Sequence, residues 1–438
     1  MDSRSASALA ASRRKPESVR GTLAMPVPLA LLAAILCAAF ALYWATSFIL
    51  EAHDATTRFG ADTWFYTKIA DGRALARVGE NYHLDRIFRF HPVTVVLGAG
   101  WMGLFGWLSA WMTPYHILKA MFALIGALNV YAAMTAFAAV MPRKHVAFWG
   151  VIYAVSLGVW FFSSIEESKI VSTALAAAYI AVYLHLRTQW SQPRAILLTV
   201  ILLFACLNEI VAGFLVLIPI VDTLMQRGFD LRAGRWIAAH VLAGPLALVI
   251  LELISRARTG PAGTHPEGAN HASMLLWYVK QNTYDLPTLN AFLQRWFFFN
   301  LAAPEPTVHF ANPTIGYGGD FQPRLLTYFY EPSSAILVAL FAILLLAIFL
   351  PRFCPKLPRE TSALVLGLAA FVFMRGVFFF VFLPNECMIY ASSVSLSVLL
   401  LLAIPFSASA FPRRRILLAM IATALFLTNG AFLIAPQP

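Results

Sequence analysis

Eleven apolar stretches follow one another along the chain, at roughly 25–50, 91–111, 115–141, 146–163, 170–186, 195–224, 236–255, 333–351, 362–383, 388–406 and 416–435. Most match the roughly 20 residues that an α-helix needs to cross a hydrocarbon layer, where every backbone polar group must be satisfied internally. Composition agrees. Hydrophobic residues make up 60% of the 438 and charged residues 12%, too few polar groups to cover a soluble fold of this size. The expected class is an all-α polytopic membrane protein. The glycine clusters match no P-loop, so a nucleotide-binding domain is not expected. Cys37, Cys206, Cys354 and Cys387 lie far apart and imply no disulfide framework.

The formal net charge of +11 is distributed as a bilayer would direct it. Arg13, Arg14, Lys15 and Arg20 precede the first apolar stretch, and short basic loops lie at 142–145, 187–194, 227–235, 352–359 and 413–415. The positive-inside rule places all of these in the cytoplasm, so the excess reads as topology and not as a footprint for nucleic acid. Loops 51–90 and 256–332, the turn near 163–169 and the tip Pro384-Asn385-Glu386 then face the other side. Parity demands two irregular elements. Residues 91–111, with four glycines, are expected to lie in the outer leaflet, and residues 195–224 to break at Asn208-Glu209 into two short helices. The total is about 11 to 12 helices, with the N-terminus cytoplasmic and the C-terminus outside. Four regions follow: a basic tail 1–24, a membrane module 25–255 including the outer loop 51–114, an outer loop 256–332, and C-terminal membrane helices 333–438.

Charged side chains at membrane depth are costly, and each needs a reason. Glu166 and Glu167 occupy the outer turn, with Lys169 opening the next helix. Glu209 sits at the break, Arg375 lies inside an apolar helix toward its outer half, and Glu386 closes the following outer turn. Asp62 and His91 bracket the first loop. Such a set suits an anionic, lipid-linked substrate at the outer leaflet, with carboxylates as base or metal ligands and Arg or Lys on phosphate. Structural roles compete: a loop cap for Asp62, a hydrated turn for Glu166 and Glu167, satisfaction of a broken helix for Glu209, and an ion pair of Arg375 with Glu386 or Glu252. His265, His271 and His309 lack metal-ligand spacing. Within the long loop, Leu289 to Ala302 carries Arg295-Trp296-Phe297-Phe298-Phe299 and is expected to form an interfacial helix with an aromatic face.

The order of these features resembles a known family. After the first span comes Gly60-Ala61-Asp62-Thr63-Trp64-Phe65-Tyr66, then Arg89-Phe90-His91-Pro92, two spans, the outer turn Ser163-Ser164-Ile165-Glu166-Glu167-Ser168-Lys169, and a helix ending in a basic residue. This layout, over roughly residues 25–225, resembles the GT-C superfamily of integral-membrane glycosyltransferases, including the bacterial protein-mannosyltransferase and aminoarabinose-transferase-like groups. The resemblance implies a GT-C-like bundle with juxtamembrane helices on the periplasmic side of a bacterial inner membrane. It implies a polyprenyl-phosphate-sugar donor, a periplasmic lipid, glycan or protein acceptor, and membrane lipids as surroundings. Asp62 occupies the place of the family's catalytic carboxylate, and His91-Pro92 that of the His-Pro pair opening a juxtamembrane helix. Thr63 follows Asp62 where a second acid is common, and Glu166-Glu167 stand where many relatives have Arg. No cofactor is required with certainty, a divalent cation being the one candidate.

On this reading Asp62 is the general base, with His91, Glu166 and Glu167 beside it. Arg375, then Lys169 and Arg324, would hold the departing phosphate, because a guanidinium grips two oxygens and keeps its proton. Tyr66, Glu209 and Glu386 complete the substrate-binding set. Two other functions remain open. A transporter or flippase would carry broken helices in corresponding halves. A glycan ligase or polymerase would rely on Arg and His of the long loop, such as Arg324 and His309.

Overall fold

The computed structural model describes residues 27–52, 66–71, 73–77, 82–188, 191–227, 231–259, 279–280, 282, 284–303, 309–310, 326–327, 335–350, 356–384 and 387–434. Within them the chain is almost wholly helical. The longer elements are α1 (Leu29–Ala52), α2 (Tyr82–Phe90), α3 (Pro92–Phe105), α4 (Pro114–Val140), α5 (Arg143–Val155), α6 (Leu157–Ser163), α7 (Ser168–Thr188), α8 (Gln192–Asn208), α9 (Leu217–Arg227), α10 (Leu231–Val241), α11 (Ala243–Thr259), α12 (Leu286–Leu293), α13 (Ala335–Phe349), α14 (Arg359–Phe382), α15 (Cys387–Ala391), α16 (Ser395–Ala408) and α17 (Arg414–Ile434). His309–Phe310 and Leu326–Thr327 pair as a two-residue antiparallel ladder. Among the described residues eight helices are long and apolar enough to cross a membrane, or nine if the bent pair α5–α6 counts as one, and three shorter apolar helices accompany them. The chain is a multi-pass membrane protein, helical throughout almost all of its described residues.

The helices begin and end where local chemistry lets them. Thr113 accepts a hydrogen bond from the His116 amide and Pro114 follows at the first helical position, so α4 starts there. α4 packs between α1 and α7, and α9 runs along α14. That last contact is close. A Cβ on Gly367 would stand 2.7 Å from the Ile218 carbonyl oxygen, so only glycine lets the two backbones approach this far.

The two ends of the bundle differ in kind. At the acid end, α4 begins, α6 gives way to α7, and α8 and α14 terminate; Tyr115 bonds to Glu166 and Asn208 to Ser168 across it. At the opposite, arginine-rich end, Arg187 grips Asp222 at 2.6 Å, Tyr183 donates to the same carboxylate at 2.6 Å, and Arg359 donates to the Met225 carbonyl at 3.0 Å. There Arg414 also closes the turn before α17, donating to the Ser409 carbonyl at 2.8 Å, while Arg413 takes a left-handed conformation with φ 54°.

Three irregular elements shape the acid end. α3, continued by a 3-10 turn to Ala110, has the length and apolarity of a span. Its contacts nevertheless keep it at one end: Thr94 meets Asn208, and Trp101, two turns on, donates to the Ile117 carbonyl at 2.7 Å, one turn from the start of α4. The expected break at Asn208-Glu209 is present, with Glu209 extended (φ −158°, ψ 105°) between α8 and a 3-10 stretch.

The third element departs from expectation. The stretch 146–163 is not one straight helix but bends by 60° between α5 and α6. The freed amides of Leu157 and Gly158 donate to the carbonyls of Leu301 and Asn300 at 3.2 and 3.0 Å, and the Val155 carbonyl accepts from Asn429 Nδ2 at 2.7 Å. The segment expected to lie on the membrane surface as an interfacial helix supplies those carbonyls. α12 runs into a π-helical turn, Gln294–Phe299, after which Asn300 to Ala303 are buried in the fold. Arg295 and Trp296 are buried with it, while Phe297 and Phe298 stay exposed. A helix broken in an apolar interior needs polar partners, and this segment provides them.

Candidate functional site

Asn208 is the hub of the acid end. As the last residue of α8 it has no following turn to satisfy its carbonyl, which lies 2.5 Å from His91 Nδ1. A carbonyl only accepts, so Nδ1 carries the proton and Nε2 is left as the acceptor of the neutral ring. The Asn208 side chain accepts from the Thr94 amide at 3.1 Å and its hydroxyl at 2.7 Å, and donates to Ser172 Oγ at 2.9 Å and the Ser168 carbonyl at 3.3 Å. One residue thereby joins α3, α7 and α8. Burial lowers the His91 pKa to about 3, with the nearby Lys169 ammonium adding to the effect. Tyr66, 1% exposed, places its ring centroid 6.4 Å from that of His91.

Beside the hub, Glu209 pairs with Arg375 of α14, the two side chains 5% and 1% exposed. The Arg375 guanidinium also lies 5.2 Å from the Phe379 ring, Phe379 stacks on Tyr390 at 4.4 Å, and the Lys169 ammonium sits 3.8 Å from the Tyr390 ring centre. Two cations thus bracket one aromatic stack. Glu167 Oε1 accepts from the Ser168 amide at 2.9 Å and hydroxyl at 3.0 Å, an acid at the positive end of α7. Glu166 accepts from the Tyr115 hydroxyl, and Lys119 lies 4.4 Å from the Tyr115 ring while donating to the Ser47 carbonyl at 2.8 Å.

Six of the sequence-derived candidates, Glu166, Glu167, Lys169, Glu209, Arg375 and His91, therefore share one end of the bundle, with Tyr66 alongside. Asp62, Arg324 and Glu386 lie outside the described residues. One assignment needs correction. Among the described residues the carboxylate that pairs with Arg375 is Glu209, not Glu252, so this guanidinium already holds a protein acid. Lys119, Tyr115 and Tyr390 were not singled out in the sequence. Lys119 was findable, being a lone charge inside the apolar stretch 115–141 and 2% exposed. The tyrosines carry no such signal.

Chemically, three buried carboxylates face three buried cations, Lys119, Lys169 and Arg375, with a neutral imidazole between them. Such a set can exchange protons and hold an anion without a large net charge. Among the described residues no three His, Cys, Asp or Glu side chains gather as a metal site. No protein-family model matches the chain, and no curated protein matches it in sequence.

Proposed function

We propose that the chain is an integral-membrane glycosyltransferase, moving a sugar from a polyprenyl-phosphate carrier to an acceptor on the outer face of a bacterial inner membrane. The observation that supports this reading is the convergence of buried acids and cations at one end of an apolar bundle, directly beside Tyr66. Asp62, the proposed base, precedes Tyr66 by four residues. In the reaction an acceptor hydroxyl gives its proton to the Asp62 carboxylate and its oxygen attacks the anomeric carbon. The bond from that carbon to the carrier phosphate breaks, and polyprenyl phosphate leaves with the electron pair.

The contacts refine the assignment of the phosphate group. Arg375 is held by Glu209, whereas Lys169 has an aromatic ring and no carboxylate within ion-pair distance among the described residues. Lys169 is therefore the cation that faces the leaving phosphate, with the Glu209–Arg375 pair setting the local field. His91, locked by Asn208 as the neutral Nδ1–H tautomer, orients the loop end through Tyr66. Transport fits less well. Among the described residues the breaks at Ser156 and Glu209 fall in the same half of the chain, whereas alternating-access folds place their broken helices in corresponding halves.

Lipid extracts of cells lacking the protein test the reading. The expected result is an accumulated sugar-carrier lipid together with an acceptor lacking that sugar. Unchanged carrier pools and a fully modified acceptor would contradict it.

A further inference from the structure

Arg295 poses a problem that the proposed transfer site does not solve. It is 5% exposed, and its Nε lacks a hydrogen-bond partner. Among the described residues it makes no ion pair, and the titratable group that acts on it is the Cys387 thiol, at the start of α15. A buried guanidinium without an anion is strongly disfavoured, because its charge loses water and its Nε–H receives nothing in return. Arg375, only one helix away, shows how this protein treats a cation whose partner is internal: it supplies Glu209.

The surroundings of Arg295 say what kind of anion fits. It belongs to a π-helical turn, a strained form that widens a helix and recurs where side chains must be aimed. Its neighbour Trp296 carries a second buried donor without an acceptor, Nε1. The same segment turns Leu289, Leu293, Phe297 and Phe298 outward, where acyl chains would lie. Buried planar donors next to a lipid-exposed aromatic rim match an oxyanion carried on an apolar chain.

We infer that Arg295, with Trp296 beside it, is the receptor for a phosphate group borne by an amphipathic ligand that enters from the lipid. Trp296 Nε1 packs against Gly376, beside Arg375 on α14, and the inference stands whether or not the neighbouring carboxylates transfer a sugar. Segment 294–303 both closes the break between α5 and α6 and presents this receptor, so occupancy is coupled to the packing of that break.

The test uses the purified full-length protein in an uncharged detergent, with thermal unfolding read against dodecyl phosphate, inorganic phosphate and dodecanol. A ligand bound only by the folded state raises the midpoint in proportion to its occupancy. Dodecyl phosphate should raise the midpoint of the wild-type protein, dodecanol should not, and Arg295→Gln should abolish the rise. Equal shifts with inorganic phosphate would overturn the amphipathic part of the proposal and assign a free-phosphate site. No shift with either phosphate, or a full shift in Arg295→Gln, overturns it altogether. Should Arg295→Gln fail to fold, Arg295→Lys keeps the charge but loses the forked geometry; the proposal requires at least a tenfold weaker response. Glu386→Gln is the control for an internal partner. If that variant loses stability as Arg295→Gln does and the wild-type midpoint ignores dodecyl phosphate, Arg295 serves a protein carboxylate instead.

Discussion

Glu209 and Arg375, 166 residues apart in sequence, close on each other at the point where α8 breaks, and both are removed from solvent. Each charge is tolerable only because of the other. Glu209→Gln or Arg375→Met alone should cost about 3–5 kcal/mol by stranding the remaining charge, while the double variant should recover most of that loss. Reversible unfolding of the four proteins in a double-mutant cycle measures it. Additive losses would mean that the two side chains do not share one interaction.

The pair depends on how closely α9 approaches α14. Gly367→Ala puts a methyl 2.7 Å from the Ile218 carbonyl oxygen and 3.3 Å from the Ile218 Cα, both backbone atoms with little freedom to move. A loss of about 1–3 kcal/mol is expected, as for other overpacked contacts. The Glu209–Arg375 coupling, measured again in the alanine background, should fall. Unchanged stability and coupling would show that the helices have room to separate without moving the pair.

His91 makes stability depend on pH. Its pKa in the folded protein is lowered to about 3 by burial and by Lys169, against 6.5 when unfolded. The unfolded chain therefore binds a proton first as pH falls, so the contribution is fully present above 6.5 and is lost below it, at up to about 1.4 kcal/mol per pH unit down to the folded value. His91→Asn can still donate to the Asn208 carbonyl and does not titrate. Stability curves of the two proteins should converge between pH 7 and 4; parallel curves would contradict the buried, neutral imidazole.

Asn429 holds the bend in place. Its side chain donates to the Val155 carbonyl at 2.7 Å and the Leu301 carbonyl at 2.9 Å, and accepts from the Ala303 amide at 2.7 Å. Asn429→Leu removes the bonds to the Val155 carbonyl and the Ala303 amide, at a cost of about 1–3 kcal/mol each at most, while the Leu301 carbonyl keeps its bond from the Leu157 amide. Limited proteolysis should then cut near 294–303 while the spans stay intact. A cleavage pattern identical to that of the wild type would show that the segment is anchored elsewhere.

The sequence made the membrane character, the order of the apolar stretches and the break at Asn208-Glu209 legible, because apolar length and misplaced polar residues are local signals. The grouping of Glu166, Glu167, Lys169, Glu209 and Arg375 was legible for a related reason: a charge in an apolar run has few places to go. The pairing within the group was not, since several carboxylates could have met Arg375 and only packing chooses Glu209. The bend at Ser156 was also hidden. Gly158 beside it is an ambiguous mark in a glycine-rich membrane chain, and its polar groups are met by Asn300, Leu301 and Asn429, 142 to 274 residues away. The same long-range packing drew Arg295 and Trp296 inward from what their aromatic neighbours suggested was a surface helix.

The central claim is that the acid end transfers a sugar with Asp62 as the base. The most direct measurement is the release of polyprenyl phosphate from a polyprenyl-phosphate sugar by the purified full-length protein and by its Asp62→Asn variant, with both unfolding at the same temperature. The account predicts transfer by the wild type and a rate at least about a hundredfold lower in the variant. Equal rates, or no transfer by the folded wild type with any such donor and a hydroxylated acceptor, would contradict it.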